Sequence, residues 1–135
     1  MKINTKVRYG LRAMIEIAEK DNLTGILQKE IAEKQDIPLN YLDSIISGLR
    51  GAGLIINAGG KGSGYFIAKA PENISVYDIY RAFEADLTLV QCSCDANECL
   101  RSDYCPTKDY WFMLNKTIKD TMKATTLYQL LENKK

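Results

Sequence analysis

All four cysteines of this chain, Cys92, Cys94, Cys99 and Cys105, fall within the stretch "CSCDANECLRSDYC", and the 135 residues contain no histidine. Four clustered thiols satisfy the ligand count of an iron-sulfur cluster or of a structural zinc. Zinc sites usually pair their cysteines two to four residues apart and separate the pairs by a longer stretch. Here one, four and five residues intervene within a single loop, a poor match to that pattern. Simple burial is a weak explanation as well, because Asp95, Asn97, Glu98, Arg101, Ser102 and Asp103 crowd the same segment. A thiol-disulfide switch made by two of the four stays open as an alternative. The missing histidine removes Ser-His and Cys-His nucleophilic pairs and the commonest general base, so an enzyme is not expected.

No apolar run of signal-peptide or membrane-span length occurs, and the expectation is a soluble, cytoplasmic protein without membrane contact. In that compartment thiols are kept reduced, which favours a metal site or a redox sensor over a disulfide framework. The net charge of +1 is too small to announce nucleic-acid binding by itself, so DNA contact has to be argued from architecture.

The elements that position the cysteines begin with a helix, in which Val7, Leu11, Met14, Ile15 and Ala18 recur at helical spacing and Arg8, Arg12, Glu16 and Glu19 occupy the other faces. "DNLTG" stops it. A short helix from Gln28 to about Lys34 comes next, then a tight break, then a longer helix from about Pro38 to Ala52. Pro38 suits the first turn, where its missing N–H costs nothing, and Gly51 and Gly53 suit the end. Ala32 lets the two helices cross closely, while Ile31, Ile37, Leu42, Ile45, Ile46 and Leu49 fill the core. This is the layout of a helix-turn-helix. "LIINAGGKGSGYFIAK" then reads as a β-hairpin with a glycine-rich tip carrying Lys61 and Ser63. Three helices and such a hairpin make a winged helix.

"NISVYDIYRAFE" opens with a Ser75 to Asp78 capping box and predicts a fourth major helix packed on the first. Beyond the cysteines, Trp111, Leu114, Ile118, Met122 and Thr125 fall at alternating three- and four-residue steps, the seam of a helix that lies along another helix. A second copy of the chain is its most economical partner. A last short helix begins at a Thr126 to Gln129 capping box. The expected fold class is therefore mainly α with a small β-hairpin wing, a winged helix-turn-helix plus a long C-terminal dimerisation helix. The expected divisions are 1-70 for DNA binding, 71-106 for a connecting helix and the cysteine loop, and 107-135 for the dimerisation helix and tail.

In such a fold the N-terminal turn of the third helix enters the major groove, putting Asn40, Tyr41, Asp43 and Ser44 within reach of base edges and phosphates. Asn can read adenine and Asp can accept from cytosine. Lys61 and Ser63 suit the adjacent minor groove, and Lys6 and Gln28 sit at helix starts that favour phosphate. The plainer alternative is that Lys6 and Lys61 are merely solvated and that Tyr41 is half-buried packing.

The combination of "KVRYGLRAM", "IAEKQDIPLNYLDSIISGLRGAGLI", "GGKGSGYFIAK" and the cysteine loop with Trp111 beyond it resembles the Rrf-two (Rrf2) family of bacterial winged-helix regulators, from Met1 to about Glu132. The resemblance implies a homodimer that binds double-stranded operator DNA with one winged helix per half-site, its long C-terminal helix crossing to the other subunit. In cluster-bearing members three cysteines are separated by five residues each, and a fourth ligand comes from elsewhere. Cys99 and Cys105 keep that spacing, whereas the first cysteine would fall at Ser93, between Cys92 and Cys94. The family's histidine ligand would fall at Lys108 and its helix-1 carboxylate at Arg8, so both known fourth ligands are absent. The resemblance therefore implies an all-cysteine site of Cys92, Cys94, Cys99 and Cys105, with Asp95, Asp103 and Asp109 as oxygen ligands in reserve. Either a 2Fe-2S or a 4Fe-4S cluster suits such a set. The wing lacks an arginine near Gly59 that the family's cluster regulator carries. The reading is a DNA-binding regulator whose operator affinity is set by an iron-sulfur cluster. The alternatives are a thiol-disulfide or zinc-based sensor, or a small electron-transfer or cluster-carrier protein.

Overall fold

The structure is a computed structural model that describes residues 2–20, 24–57, 59, 63–90, 101 and 103–133. The first helix, α1, spans Thr5–Glu19 and is capped by Asn4, whose side chain accepts from the Lys6 N–H at 2.8 Å. Its buried stripe is Val7, Gly10, Ala13, Met14 and Ile17, and Leu11, Ile15 and Ala18 pack only at the margin. The expected face is thus rotated toward the small residues, because Gly10 and Ala13 allow the close approach that larger side chains would prevent. Glu16, expected on an outer face, is buried at 5% exposure.

The helix α2 runs Gln28–Gln35, Asp36 turns the chain with a left-handed φ of 54°, and α3 runs Leu39–Gly51. Pro38 is the residue that caps α3 rather than part of its first turn, and its carbonyl accepts from the Leu42 N–H at 2.9 Å. Ile31, Ile37, Leu42, Ile45, Ile46 and Leu49 are all buried between α1, α2 and α3, and Ala32 packs against them half-buried, as the pattern requires. Truncating a wholly buried member such as Leu49 to alanine costs about 2–5 kcal/mol.

Two strands, β1 (Ile55–Asn57) and β2 (Tyr65–Ile67), pair antiparallel with Ile56 opposite Phe66. On its other edge, Tyr65 exchanges two backbone hydrogen bonds with Ile26, at 3.1 and 2.8 Å, which ties the loop end of the strand pair to the segment entering α2. Gly25 and Gly64 make that contact close, since a Cβ on Gly64 would stand 2.6 Å from the Gly25 carbonyl carbon.

The helix α4, Val76–Arg81, is capped by the predicted Ser75–Asp78 box but ends after six residues. The chain turns at Ala82 and inserts the Phe83 ring between Gly10 of α1 and Gly48 of α3. It packs on α1 as expected, but as a short helix rather than a major one. Past the cysteine segment come α5 (Lys108–Ala124) and α6 (Leu127–Asn133), the latter opened by reciprocal Thr126–Gln129 bonds at 3.0 and 3.2 Å. Leu127 is wholly buried in the same core as Ile74, to whose carbonyl its N–H donates at 2.8 Å, so the C-terminal tail closes back on the N-terminal helices.

Candidate DNA interface and cysteine segment

The N-terminal turn of α3 and the start of α2 share one surface. Asn40 and Asp43 are exposed, while Tyr41 and Ser44 are half-buried. The Gln28 amide donates to Asp43 Oδ1, so the first residue of α2 is fastened to the second turn of α3 and two of the expected DNA-contacting residues are brought together. Asn40 Oδ1 accepts from the Tyr41 N–H at 3.0 Å, and Ser44 donates to the Tyr41 carbonyl at 2.8 Å. The Tyr41 ring meets the Tyr9 ring edge to face at 5.5 Å, which makes it a packing residue of the α1–α3 contact.

Lys6 is exposed on the first turn of α1, and Ser63, in the loop between β1 and β2, donates to Asn57 Oδ1. Lys61 lies outside the described residues. The structure therefore groups Gln28, Asn40 and Asp43 on one face, places Lys6 at the start of α1, and packs the half-buried Tyr41 ring against Tyr9.

Of the thiols, Cys105 is described, whereas Cys92, Cys94 and Cys99, like Asp95, lie outside the described residues. Cys105 precedes α5, where its carbonyl accepts from the Lys108 N–H at 3.4 Å and its Sγ stands 3.1 Å from Thr107 Oγ1. The Thr107 hydroxyl and N–H hold the thiol below its ordinary value, with smaller help from the Lys108 N–H and the Arg101 charge. A thiol so placed is predisposed to the thiolate form that both metals and oxidants require. Asp103 and Asp109 are exposed nearby, and among the described residues no three His, Cys, Asp or Glu side chains gather into a metal-binding group.

The chain entering the cysteine segment is held to α5. Asn115 accepts from the Leu89 N–H at 2.8 Å and donates to the Leu87 carbonyl at 3.1 Å. Lys119 pairs with Asp86 at 2.8 Å, and the Tyr77 hydroxyl donates to the same carboxylate. These contacts fasten one edge of α5, yet none of its residues is buried. Trp111, Leu114, Ile118 and Met122 are half-covered, and Tyr110, Phe112 and Met113 are exposed. An apolar seam of that length left open on one chain is what a helix-helix interface needs.

A cleft of about 300 Å³ lies at the far end of α1 and is lined by Glu16, Glu19, Lys20 and Lys34. Its four charged side chains differ from the mostly apolar lining of a typical small-molecule site. No helix among the described residues is long and apolar enough to cross a membrane.

Comparison with known proteins agrees with this architecture. A family described as "Rrf2: Iron-dependent Transcriptional regulator" matches residues 3–133. A helix-turn-helix-type transcriptional regulator of Neisseria meningitidis is 36% identical over 134 residues, which are 99% of this chain and 90% of that one. Among solved structures, CymR (YrzC), described as the global cysteine regulator of Bacillus subtilis, superposes with a TM-score of 0.83 at 31% identity, covering 98% of both chains. IscR of T. potens does so with a TM-score of 0.78 at 30% identity, covering all of this chain and 89% of that one.

Proposed function

This chain belongs to the Rrf2 family of DNA-binding transcriptional regulators, and from that premise we propose that it is a cytoplasmic homodimer whose operator affinity is controlled by an iron-sulfur cluster. Two copies joined along the seam from Trp111 to Met122 present their α3 helices to half-sites about one helical turn, roughly 34 to 36 Å, apart. At each half-site Asn40 and Asp43 read base edges, while Lys6, Gln28, Lys61 and Ser63 set the position on the backbone.

Cys92, Cys94, Cys99 and Cys105 hold the cluster, which when bound supplies a centre whose charge and integrity respond to oxidants and to iron supply. The observation that carries this reading is the position of Cys105. Its thiol, already biased toward thiolate, sits at the start of the helix whose open seam fits a second copy. The iron-dependent description of the family agrees with it. A small rotation of one winged helix against the other then decides whether both dock. A coupling of about 1 to 3 kcal/mol changes operator affinity about 5- to 150-fold.

A second reading has specific support: the same lowered thiol value suits a metal-free cysteine switch, and a relative of this chain is described as a global cysteine regulator. A zinc-based redox sensor on the same thiols is the other alternative.

The DNA-binding assignment is tested on duplexes selected by the wild-type chain from a random pool. Asn40→Ala relaxes preference at one base pair, at about 1–3 kcal/mol for the lost bidentate contact, whereas Lys61→Ala weakens all duplexes alike and lowers the salt slope by about one. An unchanged selected sequence and affinity in Asn40→Ala would remove α3 from the role of reading helix.

A further inference from the structure

The turn between α2 and α3 sets the angle at which the reading helix leaves the body, and a single side chain of α1 grips the α2 end of it. Arg12 donates through Nε to Gln35 Oε1 at 2.9 Å and through a terminal nitrogen to the Gln35 backbone carbonyl. Gln35 is the last residue of α2, so its carbonyl is one that the helix itself leaves unpaired, at the end where a positive charge is favoured. The Gln35 amide in turn donates to Glu16 Oε1 at 2.6 Å, and Glu16 is 5% exposed.

One turn earlier on α1, the Tyr9 ring has its centre 4.9 Å from the same guanidinium, and Tyr9 meets Tyr41 of α3 edge to face. Arg12 therefore touches the end of α2 directly and the start of α3 through one aromatic ring. Asp36, which follows Gln35, has a left-handed φ of 54° and turns the chain sharply as it leaves α2.

We infer that Arg12 is a positioning residue for operator recognition: without touching DNA, it fixes the α2–α3 angle through Gln35 and the Tyr9–Tyr41 pair, and so sets how much better operator binds than unrelated duplex. This rests on the DNA-binding part of the function proposed above. The physical reason lies in the two kinds of contact. Non-specific binding is carried by phosphate charge pairs that tolerate a tilted helix, whereas base readout demands that α3 enter the groove at one angle. The planar, forked guanidinium is what allows two bonds and a ring contact at once. A lysine can keep the charge but not the fork.

The test uses the full-length protein with a duplex selected by the wild type and a scrambled duplex of equal length, titrated over a range of salt. In Arg12→Ala, operator affinity falls about tenfold or more, as expected for hydrogen bonds to a charged group, while affinity for the scrambled duplex and both salt slopes stay unchanged. Arg12→Lys falls between the two. Because a misfolded variant would lose both duplexes together, the pair Glu16→Gln with Gln35→Glu serves as a second arm. Gln35→Glu, which removes the amide donor and sets two carboxylates together, lowers operator preference, and adding Glu16→Gln, which supplies a donor from the other side, restores most of it.

A fall in scrambled-duplex affinity accompanied by a salt slope smaller by about one would show a phosphate contact and overturn the inference. Unchanged operator preference in Arg12→Ala would overturn it equally, as would a double change no better than Gln35→Glu alone. A wild type that selects no sequence at all would overturn the DNA-binding reading itself, a result the Arg12 variants alone cannot produce.

Discussion

Replacing Gly10 by alanine should destabilise this protein even though Gly10 lies in the middle of a helix, where alanine is normally the better residue. The propensity gain is about 0.8–1.0 kcal/mol. Against it, a Cβ at position 10 would stand 2.5 Å from Phe83 Cε2 and 3.0 Å from its Cζ. The ring cannot swing clear, because its opposite edge already faces Gly48, where a Cβ would meet Phe83 Cε1 at the same 2.5 Å. Overpacking of this kind costs about 1–3 kcal/mol, so Gly10→Ala loses up to about 2 kcal/mol net. In a Phe83→Ala background the obstacle is gone, and the same change gains up to about 1 kcal/mol by helix propensity. Phe83 is half-buried, and its own truncation costs about 2–3 kcal/mol, a loss that a domain of ordinary stability survives. The four proteins are compared by urea unfolding, with midpoints read at equal slopes. The expected coupling is about 1–3 kcal/mol, with a change of sign. Gly10→Ala effects that agree within about 0.5 kcal/mol in the two backgrounds would refute the claim that one ring wedges α1 against α3.

Other consequences can be checked separately. Ile118→Glu places a charge in the half-covered seam of α5 and should convert the dimer to monomer at micromolar concentration by light scattering, with helix content unchanged; a persisting dimer would move the interface elsewhere. In a chain carrying Cys92→Ser, Cys94→Ser and Cys99→Ser, the remaining Cys105 should alkylate faster at pH 7 than an ordinary exposed thiol, because Thr107 holds its pKa below the usual value and so raises the thiolate fraction. Thr107→Val removes the largest cause, so the rate-against-pH midpoint should move to higher pH; a midpoint that stays put would deny Thr107 that role.

Where a single periodicity decides the structure, the chain is easy to read. The spacing from Ile31 to Leu49 places the core of the helix-turn-helix, and the Ser75–Asp78 and Thr126–Gln129 boxes mark helix starts that the structure reproduces. The buried face of α1 is harder, since Gly10 and Ala13 contribute close approach rather than apolar area and so leave no hydrophobic signal. The same reason hides the early end of α4, because Phe83 continues the helical pattern while the space for its ring is made by glycines 73 and 35 residues away in sequence. The Arg12–Gln35–Glu16 chain is not legible at all. Each of its members has the type and spacing of a solvated residue, and they meet only because α1 crosses the end of α2. In the cysteine segment, the residue types point to metal or redox chemistry, whereas the lowered pKa of Cys105 depends first on the Thr107 hydroxyl and then on the Thr107 and Lys108 N–H groups, a local arrangement that spacing does not encode.

Cluster control is tested most directly by operator affinity measured on one anaerobic preparation before and after its cluster is removed by chelator, with iron and acid-labile sulfide assayed on both samples and on Cys92→Ser and Cys94→Ser. The expected protein is brown, contains iron and sulfide, loses them in either variant, and changes operator affinity at least about fivefold between the two states. A colourless, iron-free protein, or operator affinities equal within error with and without cluster, would contradict it.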